Sequence, residues 1–485
     1  MSRFRFTVLS AVLGTLAWAV FALEAAHVQA PQHSVPPPNL VLIVADDLGY
    51  GDLSVYGHPT IRTTHLDRMA AEGLRFTQFY SADSVCTPSR AALLTGRLPV
   101  RSGMVGDRRR VLYPNSSGGL PASEVTLAEV LRERGYATTA IGKWHLGHLP
   151  EHLPMRQGFD SYFGIPYSND MDLVKGLTHR NANLQPKIEF FNVPLMRNAE
   201  TVERPADQRS ITKRYTEEAT RFMREHRDKP FFVYLAHTMP HVPLFASEAF
   251  AEKSPRGIYG DVVEEIDWSV GQVLQTVRDL KLERRTLVLF TSDNGPWLPF
   301  ETLAGSAGPL REGKGSTWEG GMRVPALAWW PGTIGPGRVV TRLASTLDVF
   351  PTGVAIADGT LPRDREIDGT SLLPLFRAER DSVRDVMFFY RGSRLFALRK
   401  GPWKAHFITQ SGYGSDRPVE HEVPELYHLD RDPSERHNVA AAHPEVIADL
   451  KREAERHRAS MRPLPSQLDL PEVQAGGSGS RRRQG

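Results

Sequence analysis

Four apolar runs rich in β-branched residues, at 39–45, 137–141, 231–236 and 286–291, have the length of buried strands. Each stops at a polar cluster. Asp46-Asp47 follows the first, Gly142-Lys143-Trp144-His145 the second, His237 and then His241 the third, and Asp293-Asn294-Gly295 the fourth. Helical patterns lie between them at 123–134, 208–227 and 264–280. Strand–helix alternation predicts a mostly parallel sheet covered on both faces, with ligands bound beyond the carboxyl ends of the strands. A lone Asp-Asp after a strand is commonly a helix cap or a turn. Polar endings on all of these strands together favour a site at one edge.

From about residue 383 the pattern changes. Short strand-like pieces at 386–390, 395–398, 403–408 and 425–429 precede a helical stretch at 444–456. They predict a small antiparallel sheet with a closing helix. The expected organisation is a large α/β domain over 39–382, an α+β subdomain over 383–472 and a flexible basic tail over 473–485, where a Gly/Ser run precedes Arg481 to Arg483. At the other end, Arg3 and Arg5 precede an apolar stretch at 6–23, which reads as a signal peptide over 1–30 ending at Val28-Gln29-Ala30. Pro31 is a poor residue directly after a cleavage site, so an uncleaved membrane anchor stays open as the alternative. Pro36-Pro37-Pro38 makes 31–38 a stiff spacer.

Composition narrows the function classes. The 485 residues are 40% hydrophobic and 24% charged, an ordinary globular balance. A net charge of only +3 argues against a dedicated nucleic-acid binder. The single cysteine, Cys86, can form neither an internal disulfide nor a thiolate metal cage. Export without disulfides fits a bacterial periplasm, or secretion, better than a cysteine-rich eukaryotic exterior.

Cys86-Thr87-Pro88-Ser89-Arg90 leads into Leu94-Thr95-Gly96-Arg97. Pro88 suits the first turn of a helix, Gly96 suits its stop, and Arg90 shares a face with Cys86. A reactive group at a helix start beside a guanidinium suits an anionic substrate. On the cysteine alone, an inert buried thiol and a thiolate nucleophile are both open. Asp46, Asp47, Asp293 and Asn294 offer only oxygen ligands, which hard divalent cations prefer, and crowded carboxylates call for a cation. Lys143 and His145 share a face of an extended segment. Gly308 and Gly313-Lys314 have the spacing of a phosphate-binding loop, but Gly315 stands where Ser or Thr is needed, so a nucleotide site is rejected.

The Cys86 segment resembles the sulfatase signature C-x-P-S-R followed by T-G-R. Gly142-Lys143-Trp144-His145-Leu146-Gly147 and the Gly313 to Gly321 run are similar to two further elements of that family. Lys404-Ala405-His406-Phe407, Glu425-Leu426-Tyr427 and Asp432-Pro433 resemble the C-terminal region of its arylsulfatase A group, without that group's many cysteines. The resemblance covers most of 39–440. It implies an alkaline-phosphatase-like α/β fold, with a large mixed, mostly parallel sheet sandwiched by helices and a small C-terminal antiparallel sheet. It implies hydrolysis of a sulfate monoester to alcohol and inorganic sulfate. Cys86 is then oxidised to Cα-formylglycine by a formylglycine-generating enzyme, and the hydrated aldehyde is the nucleophile. Asp46, Asp47, Asp293, Asn294 and the modified Cys86 hold Ca2+, or Mg2+.

On the same resemblance, Arg90 and Lys143 hold the hydrate and Lys143 and Lys314 bind the sulfate. His241, standing before Val242-Pro243, protonates the leaving alcohol. His145 removes the remaining hydroxyl proton. His237 is then structural, and His421 is a candidate substrate contact. The expected substrate is a sulfated small molecule or glycan, with specificity from 168–198, 295–309 and the second subdomain. No nucleic acid is expected, and a membrane only if the N-terminal segment is uncleaved. Two readings compete. One is a formylglycine-dependent phosphonate monoester or phosphodiester hydrolase. The other is a non-catalytic sulfated-glycan-binding protein whose Cys86 is never oxidised.

Overall fold

The computed structural model describes residues 37–473. The expectations for 1–30, for 31–36 of the spacer and for 474–485 of the tail lie outside the described residues. Among the described residues no helix is long and apolar enough to cross a membrane.

Strand β1 (Asn39–Ala45) is buried along its whole length. Leu40, Leu42 and Val44 enter one core, while Val41, Ile43 and Ala45 enter another. The run lacks polar alternation because both its faces are covered. In chain order the large sheet continues with β2 (Leu74–Tyr80), β3 (Ala137–Gly142), β4 (Ser161–Gly164), β5 (Leu195–Arg197) and β6 (Glu200–Glu203). It is completed by β7 (Phe231–Ala236), β8 (Thr286–Ser292), β9 (Arg323–Trp329), β10 (Arg338–Val340) and β11 (Ala344–Ser345). The spatial order is β10-β2-β9-β8-β1-β7-β3-β4-β5-β6, with β11 beside β2. The central strands β8, β1, β7 and β3 are parallel, so their carboxyl ends share one edge. β9 is antiparallel to β8 and β2, and β5 to β4 and β6, which makes the sheet mixed.

Helices cover both faces: α1 (Thr64–Glu72), α2 (Cys86–Thr95), α3 (Leu127–Glu133), α4 (Ile211–Glu225), α5 (Ile258–Asp279) and α6 (Val349–Ile356). α2, α3 and α6 share the core of Leu40, while α1, α4 and α5 share that of Val41. α3 begins later than its sequence pattern because Thr126 caps it. The Thr126 hydroxyl accepts from the Glu129 N–H, and the Glu129 carboxylate accepts from the Thr126 N–H.

β2 and β9 have no counterpart in the apolar-run reading. β9 contains Pro325, and a proline normally argues against an interior strand. Here the β2–β9 register shifts between Phe76 and Phe79, so Pro325 faces a bulge. The Thr77 carbonyl, displaced from the ladder, accepts from Arg323 Nε at 2.8 Å instead.

The second sheet is an antiparallel meander of β12 (Val386–Arg391), β13 (Arg394–Lys400), β14 (Trp403–Thr409) and β15 (Val419–His428), closed by α7 (Pro444–Ser460). β15 extends further back than 425, through charged residues that suit an exposed edge. A third core joins this sheet to the first. Met387, Phe389, Leu426 and Ile447 meet Tyr80 of β2 and Ala92 of α2 there. Burying a side chain such as Phe389 contributes roughly 2–3 kcal/mol, and the described residues form one compact unit.

Candidate active site

The shared edge of β8, β1, β7 and β3 meets the N-terminus of α2. Carboxylate oxygens of Asp46, Asp47 and Asp293 and the Cys86 Sγ lie within 4.8 Å of one another, all buried. Cys86 is the first residue of α2, and Gly96 ends that helix in the left-handed conformation. Asp47 and His145 both take positive φ, 64° and 59°, in the left-handed region that Asp and His adopt more readily than most side chains.

Arg90 lies one turn after Cys86. Its Nε and Nη2 reach Asp293 Oδ2 at 2.8 Å, and its Nη1 donates to the Lys143 carbonyl at 2.8 Å. The guanidinium is fully buried and braces the carboxylates. Lys143 follows Gly142, where a Cβ would stand 1.8 Å from the Ala236 carbonyl oxygen, so only glycine fits. Lys143 Nζ donates to Asp46 Oδ2 at 2.5 Å and to Ser168 Oγ at 3.1 Å. Lys314 Nζ donates to Asp47 Oδ2 at 2.8 Å. The Lys314 loop lies against the end of β8: a Cβ on Gly295 would be 1.8 Å from the Gly320 carbonyl oxygen.

The charges are unevenly matched. Burial works to raise Asp46, but Lys143, His241 and Arg90 overcome it and hold its carboxyl well below the usual range. Asp47 is pushed up to about 7 by burial, with Lys314 opposing and Asp46 and Asp293 adding. Burial and Asp46 raise Asp293 as well. Carboxylates that impede one another's ionisation are the ones a divalent cation relieves. Asn294 fits the same set. Its Nδ2 donates to Asp47 Oδ1 at 2.7 Å, while its buried Oδ1 has no hydrogen-bond partner among the described residues. A bare amide oxygen beside three carboxylates is a donor set for a hard cation.

The two histidines are in different tautomers. His145 Nε2 lies 2.9 Å from the Leu112 carbonyl, which can only accept, so Nε2 carries the hydrogen. Its Nδ1 lone pair is buried without a partner among the described residues. Burial, then Lys143, holds His145 well below its ordinary value. His241 bonds the Val242 carbonyl through Nδ1, so there Nδ1 carries the hydrogen. Its Nε2 stands 3.6 Å from Asp47 Oδ2. Burial and Lys314 depress His241, with Asp46 pulling the other way. His237 instead bonds Ser269 of α5 at 3.2 Å. His421 bonds Thr409 within the second sheet and lines a cavity there with Arg394 and Phe407, so it is placed apart from the carboxylates. Burial pushes the Cys86 thiol far up, which argues against a thiolate nucleophile.

Residue-by-residue reading of the sequence missed three groups. Ser168 bonds Lys143; its signal was the polar Ser168-Asn169-Asp170 run shortly after a strand. Trp297 lies beside His241, inside a stretch read only as a specificity loop. Lys404 and Glu435, both fully buried, stand behind the Lys314 loop. Alternation along 403–408 puts Lys404 and His406 on one strand face, which was the available cue.

Comparison with known proteins gives concordant results. The family described as Sulfatase matches residues 38–359, and the C-terminal region of aryl-sulfatase matches 382–477. The chain is 46% identical to arylsulfatase A of Homo sapiens over 451 residues, covering 86% of each. It is 40% identical to N-acetylgalactosamine-6-sulfatase of Homo sapiens over 481 residues, covering 91% of this chain and 88% of that protein. A solved sulfatase from Pseudoalteromonas sp. is similar with a TM-score of 0.79 and 28% identity, covering 90% of this chain and 92% of that one.

Proposed function

The chain belongs to the sulfatase family and is a sulfuric ester hydrolase, and we propose that it cleaves a sulfate monoester at Cys86 once that residue is oxidised to Cα-formylglycine. The observation that carries this reading is Cys86 at the first residue of a buried helix, beside three carboxylates. Oxidised and hydrated, this side chain supplies two hydroxyls, one to attack sulfur and one to drive release of sulfate. Asp46, Asp47, Asp293 and Asn294 would hold a divalent cation, Ca2+ or Mg2+, whose chemistry is to neutralise and polarise a sulfate oxygen.

The remaining roles fall to the chain's own groups. Lys143 and Lys314, tethered to Asp46 and Asp47, present ammonium groups to the sulfate oxygens, an electrostatic contribution of the kind that usually dominates. Arg90 fixes Asp293 and the Lys143 backbone. His145 accepts a proton at its free Nδ1. His241, as imidazolium, gives one from Nε2 to the leaving oxygen. The names of the relatives favour sulfate over phosphonate, and the full set of charged groups favours turnover over mere binding. Maturation falls to a formylglycine-generating enzyme. The apolar stretch at 6–23 behind Arg3 and Arg5 supports export, to a bacterial periplasm or outside the cell.

The test is peptide mass spectrometry across Cys86 with an aldehyde-reactive probe, on protein matured in its native host. Turnover of 4-nitrophenyl sulfate and of a phenyl phosphonate ester is followed in parallel. An aldehyde with faster sulfate release is expected. Full activity with an unmodified thiol would sink the formylglycine reading. A faster phosphonate reaction would move the chain to the rival hydrolase class, and affinity for a sulfated glycan without turnover would make it a binding protein.

A further inference from the structure

The site is least buried on the side of Asp47, His241 and Lys314. Asp46, Arg90, Lys143, Asp293 and Asn294 are 0% exposed, whereas Asp47 and His241 retain 3% and Lys314 5%. Two aromatic residues border that side. The half-buried Trp297 has its ring centroid 5.3 Å from that of His241, and Lys314 Nζ stands over its face at 4.5 Å. Tyr413, 44% exposed, lies 5.3 Å from Trp297 by ring centroids. The Tyr413 ring also touches the Lys314 loop: a Cβ on Gly315 would be 2.9 Å from Tyr413 Cε2. The Trp297 Nε1–H is shielded from water with no partner among the described residues, a donor the free protein leaves unspent.

A leaving oxygen protonated by His241 must come within about 3 Å of its Nε2. Trp297, with its ring 5.3 Å from that of His241, is then within reach of the alcohol, and Tyr413 is the next aromatic ring beyond it. We propose that Trp297 and Tyr413 determine specificity for the leaving group, selecting sulfate esters whose alcohol carries a ring with an apolar face. This rests on the sulfatase reading above. An aryl ring and the face of a sugar ring both have the required chemistry, since each can lie flat on an aromatic side chain. Trp297 is not spent wholly on holding Lys314, because Asp47 already anchors that ammonium group.

The experiment compares the matured wild-type enzyme with Trp297→Ala, Trp297→Phe and Tyr413→Ala. KM and kcat are measured for 4-nitrophenyl sulfate and for a hexosamine 6-sulfate. Inhibition by inorganic sulfate, which has no leaving group, is measured beside them. Trp297→Ala should raise KM for the preferred ester about tenfold and leave the sulfate inhibition constant within about twofold. Trp297→Phe should restore most of the loss. Tyr413→Ala should raise KM in the same sense but less, and its exposed position keeps the test open if the Trp297 variant misfolds. The ester that suffers more shows whether the ring is aryl or sugar. Unchanged KM in both alanine variants would overturn the proposal, and so would a parallel weakening of sulfate inhibition, which would make Trp297 a positioning residue for Lys314. Failure of the wild-type enzyme to release sulfate from either ester would instead overturn the sulfatase reading itself.

Discussion

In the proposed reaction one residue type serves opposite ends, at His145 and at His241. A carbonyl fixes the hydrogen on Nε2 in His145 and on Nδ1 in His241. His145 therefore keeps a bare nitrogen ready to accept a proton. His241 can offer a proton from Nε2 only as imidazolium. Burial depresses both, with Lys143 adding at His145 and Lys314 at His241. The sign of the pH effect follows. The imidazolium fraction of His241 falls as pH rises through a pKa below the ordinary 6.5, so kcat should already be declining at neutral pH. His145 loses its lone pair as pH falls through its own depressed pKa. The optimum should thus be acidic. His241→Asn should abolish the alkaline limb. It should cost roughly 10²–10⁴-fold in kcat for a poor leaving group such as a sugar alcohol, and far less for 4-nitrophenolate, which departs without a proton. Equal losses for both esters in steady-state assays would refute the acid role. The apolar-run pattern showed two histidines after a strand without separating them, and the choice of His241 rested on the family resemblance at His241-Val242-Pro243. Their different environments are visible in space, where His237 faces Ser269 and His241 faces Asp47.

Among the elements, the Lys314 loop is held from behind by the second sheet. Lys404 of β14 donates to the Thr317 carbonyl at 2.8 Å and to Glu319 Oε1 at 2.9 Å, and lies 3.1 Å from Glu435 Oε1. Glu435 also accepts from the Glu319 N–H at 2.7 Å and bonds His406 Nε2 at 2.7 Å. Lys404, Glu319, Glu435 and His406 are all 0% exposed. Removing one partner from such a cluster leaves buried charge uncompensated, at a cost of about 3–5 kcal/mol. Lys404→Met should therefore lower Tm and, in the folded fraction, lower kcat by displacing Lys314. Adding Glu435→Gln should recover part of the stability. Wild-type Tm and kcat in the single variant, read by thermal melts and initial rates, would show that the clamp has no such role. The strand bearing Lys404 was legible as a short strand-like piece, but its partners were not, because Glu319 lies 85 residues away in sequence. β9 was obscured for another reason: Pro325 breaks the local strand rule, and the bulge in β2 that accommodates it is a property of the pair.

At the scale of the molecule, the central strands were the most readable part. β1 and β7 have the bounds their apolar runs gave, because both strands are buried along their whole length and, from Leu40 and Phe231 on, stay largely apolar until the chain leaves the sheet. The same rule delivered Asp46, Asp47, Asp293 and Asn294 to one edge. How the flanking strands and the second sheet enclose that edge depends on distant pairings that local patterns do not encode. Because β1 and β8 are adjacent, their terminal carboxylates are forced together at the centre of the fold. The compact state therefore carries a repulsion that burial intensifies, visible in the raised Asp47 and Asp293. A cation that binds only the folded chain should relieve it and stabilise the whole molecule. At a hundredfold excess over Kd the gain is about 2.7 kcal/mol, or roughly 3 °C in Tm for a chain of this size. Titrating chelator-treated protein with Ca2+ and then Mg2+ should raise Tm in a concentration-dependent way, with the better-fitting ion acting at lower concentration. Asp47→Asn relieves one crowded charge but leaves the buried Lys314 ammonium without its partner, so it should start from a Tm at or below that of the chelated wild type, and it should lose most of the cation response. A wild-type Tm indifferent to both ions, or an undiminished response in Asp47→Asn, would refute a cation held by these strand ends.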